Sequence, residues 1–567
     1  MNRLIIPLVI VLVLAVALAV FVNRSEQPPP DPLPTGEMPL LGPVGATLLD
    51  GLGDHSMPVT SEHPDVQRWF DQGLMLTYGF NHDAAERSFL KAIELDPQCA
   101  MCWWGSALVL GPNINADMNP DVNDKAVERV RAAQQVAGQA TDRERAYIDA
   151  LANRYVEDVP ADRAPLDRAW ADAMRGVASA HPDDLDAATL YAESLMTLQP
   201  WDFWHDDGRP RGNTEEIVDV LESVMDRDPE HAGALHLYIH AVEASDDPER
   251  GVRAADRLRD LIPGAGHLVH MPSHIYARVG RWQDAVAVNL AAVSADDAYL
   301  ATCGPAPGVY PLGYVPHNHH FLWFAATMAG DSATALDAAH ETRNRAADPD
   351  LLHAPGLEFL QNFAAAPMLA HVRFGQWDEI RRLDAPGDDL AYLQAMWHYA
   401  QAHAVLRSDG NVEEAREHHA ALERLAAEPA LEQALWFDRY PMAYAARMAE
   451  RMVAAEVALA RGDHDGAISI LEDATAAEDG LPYDEPPAWH APVRQTLGAV
   501  LLDAGRPEAA EEAYRAELRR NPENGWSLFG LEQALRAQGD DDAADAILER
   551  FEAAWSRADV VLAASRF

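Results

Sequence analysis

Two kinds of apolar pattern divide the chain. From Leu4 to Val22 every residue is apolar, between Arg3 and Arg24. At 1.5 Å per residue such a helix matches a hydrocarbon layer of roughly 30 Å. A transmembrane anchor is therefore expected over 1–22; Ala17-Leu18-Ala19 offers the alternative of a signal-peptide cleavage site. Residues 23–60 carry Pro28-Pro29-Pro30, Pro32 and Pro34 without sustained periodicity, the composition of an extended linker. Over 61–567 apolar positions recur at helical spacing, and no alternating strand pattern stands out. The first helix pair reads Trp69, Gly73, Leu76, then Ala85, Phe89, Ala92, and closes on Pro97. Small residues let two helices cross closely, an aromatic fills the gap beside them, and proline ends the unit. Gly498, Leu501, Gly505, Ala510, Tyr514 and Pro522 repeat that order. Gly539, Ala544 and Leu548 follow Gly505, Ala510 and Tyr514 by 34 residues, and Pro229 and Pro263 have the same separation.

A helix pair recurring every 34 residues resembles the tetratricopeptide repeat. The resemblance covers nearly all of 61–567 and is strongest at its two ends. It implies an all-α fold, a right-handed α-solenoid in which each helix pair buries its face on the next. It also implies a concave groove that takes a peptide or protein partner. Leu110-Gly-Pro-Asn-Ile-Asn115, His270-Met-Pro-Ser-His-Ile275 and Pro316-His-Asn-His-His-Phe321 together resemble a group of tetratricopeptide proteins of bacteria and fungi. That group has no established activity, so it implies architecture and no reaction.

The 34-residue offset also carries chemistry. His236 and His240 are four apart, as are His270 and His274, and the second pair follows the first by 34. Residues four apart share a helix face. Packed helix axes lie about 8–10 Å apart, so four imidazoles on neighbouring helices can converge on one ion. Glu243 continues the first face; Glu193 falls near its level one repeat upstream, and His317 and His320 open a later helix. These eight residues are the candidate metal ligands, in a histidine-rich groove over about 185–325. Imidazole with carboxylate suits zinc, copper or iron, with catalysis left open. The alternatives are a metal-free groove of neutral histidines that recognises a peptide, and histidines that only pack. Pro272 between His270 and His274 predicts a late start or a kink in that helix. Trp201 and Trp204 either wall the site or pack a joint between repeats.

Charge and cysteine content narrow the partners. The net charge of −46 repels nucleic acid and anionic lipid, so nucleic acid is not expected and the membrane is met only through the amino-terminal helix. The body is expected outside the cytoplasm, periplasmic or extracellular, either tethered or secreted after cleavage. Three cysteines exclude a disulfide-stapled scaffold. Cys99 and Cys102 have redox-motif spacing but sit where a repeat helix begins, and are expected as small buried residues. No phosphate-cradling glycine loop, HExxH or nucleophile elbow occurs, so hydrolase and kinase chemistry has no positive support.

Overall fold

The computed structural model describes residues 45–205, 207–304, 308–354, 356–437 and 439–567. The expected anchor (1–22) and the first part of the expected linker (23–44) lie outside them. Among the described residues no helix is long and apolar enough to cross a membrane. The architecture is all-α, apart from a two-residue antiparallel ladder between Leu435–Trp436 and Tyr440–Pro441. Two compact units form: described residues up to Ile275 with Ala291–Tyr314, and Tyr276–Leu290 with Val315–Phe567.

In chain order the first helices are α1 (Val66–Tyr78), α2 (His82–Leu95), α3 (Ala100–Leu108), α4 (Asn123–Val136), α5 (Asp142–Leu151), α6 (Ala164–Ala180) and α7 (Leu185–Thr197). There follow α8 (Thr214–Arg227), α9 (Ala232–Val242), α10 (Val252–Leu258), α11 (Gly266–His270), α12 (Pro272–Arg278) and α13 (Trp282–Cys303). Polar caps start several of them: Asn81 accepts from the Ala84 amide, Asp184 from Ala187 and His231 from Ala234. In the first unit helices pack on their sequence neighbours, and α1 also packs on α3 and α7 on α9. The repeat logic is visible at Phe89, whose ring lies between Gly73 of α1 and Gly105 of α3. A Cβ on either glycine would come within 2.6 Å of that ring. The second unit continues with paired helices from Val315–Ala329 and Ser332–Ala346 to Gly525–Gln538 and Asp541–Ala554. There Tyr514 lies between Gly498 and Gly530 in the same way.

Two features of the first unit exceed a simple stack. First, α9 packs on α1, and Gly233 leaves no room for a Cβ beside the Tyr78 ring. The turn after α1 therefore sits against α9, and its residue Phe80 adopts φ 56°. Second, residues 45–60, read as the end of a linker, have the expected irregular backbone but are bonded along their length. Leu49 N donates to Gln72 (2.8 Å), Gly264 N to Gly51 O (2.8 Å), Met57 N to Asp71 (3.2 Å) and Thr60 N to Glu144 (2.6 Å). Side-chain acceptors on α1 and α5 satisfy amides that secondary structure would otherwise take. One expectation is corrected: Cys99 and Cys102 are buried as expected, yet they form a disulfide with each other.

The small-residue crossings generate the first prediction. Gly73→Ala or Gly105→Ala forces a methyl against Phe89 and should cost about 1–3 kcal/mol in urea unfolding. At Gly176 in α6 an added methyl would meet nothing within 4 Å, so its change to Ala should instead gain about 0.5–1 kcal/mol.

Candidate functional site

Three helices of the first unit bring five imidazoles and one carboxylate together. α9 supplies His236 and His240, and Glu243 caps its carboxyl end. The α11–α12 segment supplies His267, His270 and His274; it breaks at Met271, beside Pro272, where the helical ladder lacks a donor. Despite the break, His270 Nε2 and His274 Nε2 are 2.8 Å apart. The cluster is enclosed: His236, His270 and Glu243 have 0% exposure, His240 and His267 2%, and His274 4%. This corrects the expectation of an open concave wall. The turn after α1 and the loop around Trp201 fold over the face that a regular solenoid would leave bare.

Glu243 organises the set. Its Oε1 lies 2.8 Å from His240 Nδ1 and its Oε2 2.5 Å from His274 Nδ1. One carboxylate thus spans both pairs, and ring centroids of His240 and His274 are 5.8 Å apart. His236 Nδ1 lies 2.6 Å from the Tyr78 carbonyl oxygen, and its Nε2 is 3.1 Å from His267 Nε2.

These contacts dictate where the protons sit. A carbonyl oxygen only accepts, so His236 Nδ1 carries hydrogen and Nε2 is a lone pair. An ionised carboxylate likewise requires N–H at His240 Nδ1 and leaves its Nε2 as an acceptor. Among the described residues that Nε2 is buried and has no hydrogen-bond partner. Nitrogens of His236, His240 and His267 lie within 4.8 Å of one another.

Aromatic residues close the cluster. The Phe80 ring centroid lies 4.6 Å from His236, 5.7 Å from His267 and 6.0 Å from His240. Trp201, at φ 62°, sits edge-on to His240 at 5.2 Å, and Trp204 Nε1 donates to Ala241 O (2.7 Å). The segment after α13 adds Tyr314, edge-on to His267 at 4.7 Å. Asn115, from the loop 110–115 singled out in the sequence, donates to the Tyr314 hydroxyl at 3.1 Å.

Of three further sequence candidates, Glu193 and His320 take other settings. Glu193 on α7 accepts from the Thr197 hydroxyl (3.1 Å), and the cation acting on it is Arg154 rather than a histidine. His317 belongs to the second unit, half-buried, with its ring 6.1 Å from Phe321. His320 packs in the second unit among Trp323, Phe363 and Trp436, where burial lowers its imidazole to about 3. The sequence reading passes over His267, whose signal is its position three residues before His270.

It also passes over a second polar hub. Asp186 Oδ1 accepts from Tyr78 Oη (2.6 Å), His55 Nε2 (2.9 Å) and His231 Nε2 (3.3 Å). His231 Nδ1 accepts the Ala234 amide (3.2 Å), so its Nε2 bears the hydrogen. That hub is a saturated hydrogen-bond centre, in contrast to the lone pairs around His240.

Electrostatics favours neutral imidazoles at His236 and His240 and a charged carboxylate at Glu243. Burial lowers His236 well below 6.5, and neighbouring His240 lowers it further. Burial also lowers His240, against the pull of Glu243. Burial alone would raise Glu243; His274 and His240 outweigh it and hold the carboxyl at about 2. An imidazole with a depressed folded value contributes stability that is intact above 6.5 and declines as pH falls below it. Stripped of metal, the chain should therefore lose up to about 1.4 kcal/mol per pH unit for each such imidazole between pH 6.5 and 5. Glu243 stays ionised in that window and adds no slope. Urea unfolding at pH 7, 6 and 5 reads this, and a His236→Gln/His240→Gln variant should show a flatter dependence.

Comparison with known proteins bears on the scaffold. Residues 66–99, α1 and α2, match the family model described as tetratricopeptide repeat. No curated protein matches the chain. Among solved structures, the human IFIT1 dimer with m7Gppp-AAAA is similar at 12% identity over 86% of this chain and 96% of that one, TM-score 0.33. The APC/C hetero-tetramer Cut9–Hcn1 matches at 13% identity over 88% and 95%, TM-score 0.28. Naa15/Naa10 bound to HypK-THB matches at 13% identity over 86% and 70%, TM-score 0.21. The chain carries a tetratricopeptide repeat at α1–α2 within an all-α helical-repeat architecture.

Proposed function

We propose that this tetratricopeptide-type scaffold holds a transition metal, zinc, copper or iron, on His236, His240 and His267. The observation that carries the reading is the buried His240 Nε2, an acceptor without a hydrogen-bond partner among the described residues, in a trio of His236, His240 and His267 that each bring one nitrogen within 4.8 Å of the others. With His267 donating to His236, one of two lone pairs would still face no donor; an ion satisfies all three nitrogens together. Tetrahedral bonds of about 2.0–2.1 Å place ligand nitrogens about 3.3 Å apart, close to the 3.1 Å between His236 and His267. Neutral imidazoles are what ligation requires. Glu243 and the Tyr78 carbonyl serve as the outer partners that fix ring orientation.

Three protein nitrogens leave a fourth position for solvent or substrate. When bound, the ion would supply Lewis-acid or redox character there; the reaction is not assigned. Export of the body, as expected from residues 1–22, belongs to the same proposal. The Cys99–Cys102 disulfide supports it, because such bonds persist in oxidising compartments. A second reading, a docking scaffold for a protein or peptide, draws support from the repeat match over residues 66–99. In that reading the enclosed histidines are not the contact surface.

Elemental analysis of the purified, tag-free full chain distinguishes the two. The metal reading expects bound zinc, copper or iron that is lost in His236→Gln, His240→Gln and His267→Gln variants with retained helical circular dichroism. Glu243→Gln should weaken affinity about 10–100-fold. A folded wild-type chain that stays metal-free after incubation with each ion would overturn it and leave the docking reading.

A further inference from the structure

The second histidine pair repeats the construction of the first. In α9 the later histidine, His240, donates from Nδ1 to one oxygen of Glu243; in α12 His274 places its Nδ1 2.5 Å from the other. The other nitrogen of that ring, His274 Nε2, meets His270 Nε2 at 2.8 Å, so the two imidazoles face each other nitrogen to nitrogen. Ser273 Oγ lies 3.4 Å from His270 Nδ1 and gives that ring an outer polar partner. The two halves adjoin, since His267 and His270 have ring centroids 5.9 Å apart. Glu243 adds one buried carboxylate to these five imidazoles.

On the reading that the first set holds an ion, we propose a second cation position on His270 Nε2 and His274 Nε2. Glu243 is then the shared outer carboxylate of a two-ion centre. In the ion-free form the proton between the two nitrogens holds them at contact distance. Replacing it by a divalent ion of the zinc or copper class needs the nitrogens to part to about 3.3 Å, a few tenths of an ångström. With both positions filled, the centre would supply two Lewis-acid or redox ions, which would suit a substrate with paired oxygens.

The proposal is read by stoichiometry and by linkage. The full chain, stripped with chelator and titrated with zinc against a chromophoric competitor, should take two equivalents. His270→Gln or His274→Gln should leave one, held by the first set. His236→Gln/His267→Gln should leave the other. Glu243→Gln should weaken both steps about 10–100-fold, which a carboxylate belonging to one site would not do. Circular dichroism and the thermal midpoint check that each variant is folded; if His→Gln variants unfold, the Glu243→Gln titration alone decides between one affected step and two. One equivalent in wild type, lost with His236 and His267 but not with His270, overturns the second position and leaves the first. Zero equivalents overturns both.

Discussion

A carboxylate with no exposure to solvent lies between two imidazole nitrogens that come from repeats 34 residues apart. Moving an ionised carboxylate out of water costs several kcal/mol even after relaxation, and Glu243 offsets this with a hydrogen bond from His240 to one oxygen and His274 against the other. That requirement fixes much else. It sets the tautomer of His240, turns its Nε2 away from Glu243, and ties the carboxyl end of α9 to the start of α12. A slip of one residue in either helix would strand the charge, so the register of these repeats follows from electrostatics as well as packing.

The rest of the first unit encloses that charge. Phe80 and Trp201 both hold positive φ, a conformation that costs bulky residues about 1–3 kcal/mol, and both place their rings on the histidines. The α9–α1 contact positions the Phe80 turn, and the 45–60 segment braces the same helices through Asp186 and the Gly51–Gly264 hydrogen bond. The Asp186 hub shows what a finished hydrogen-bond centre looks like here: three donors converge on one oxygen, and His231 spends its acceptor on a backbone amide. The cluster around His240 differs in having a buried lone pair without a hydrogen-bond partner among the described residues, and the proposed metal site rests on this difference, not on the number of histidines.

Much of this was legible in the sequence. The 34-residue recurrence places His236, His240, His270 and His274 on neighbouring helices, and Pro272 foretells the break at Met271. His267 escaped because duplication was the guide: its counterpart 34 residues earlier is Gly233, kept small by the Tyr78 ring, so the offset showed no pair. Enclosure escaped because it depends on α1 meeting α9, a contact between segments more than 150 residues apart that local periodicity does not encode. His320 was drawn in by alignment of helix positions, whereas its helix belongs to the second unit and turns that face into Trp323, Phe363 and Trp436. Residues 45–60 read as linker because their partners, Gln72, Asp71 and Glu144, are polar side chains that sequence assigns to a solvated face.

X-ray absorption at the metal edge of the purified full chain tests the central claim most directly. The account predicts an imidazole-dominated first shell of nitrogen neighbours at about 2.0–2.1 Å, with the outer-ring scattering that ordered histidine produces. A shell of sulfur or of oxygen alone, or a folded chain with no edge signal after loading, would contradict it.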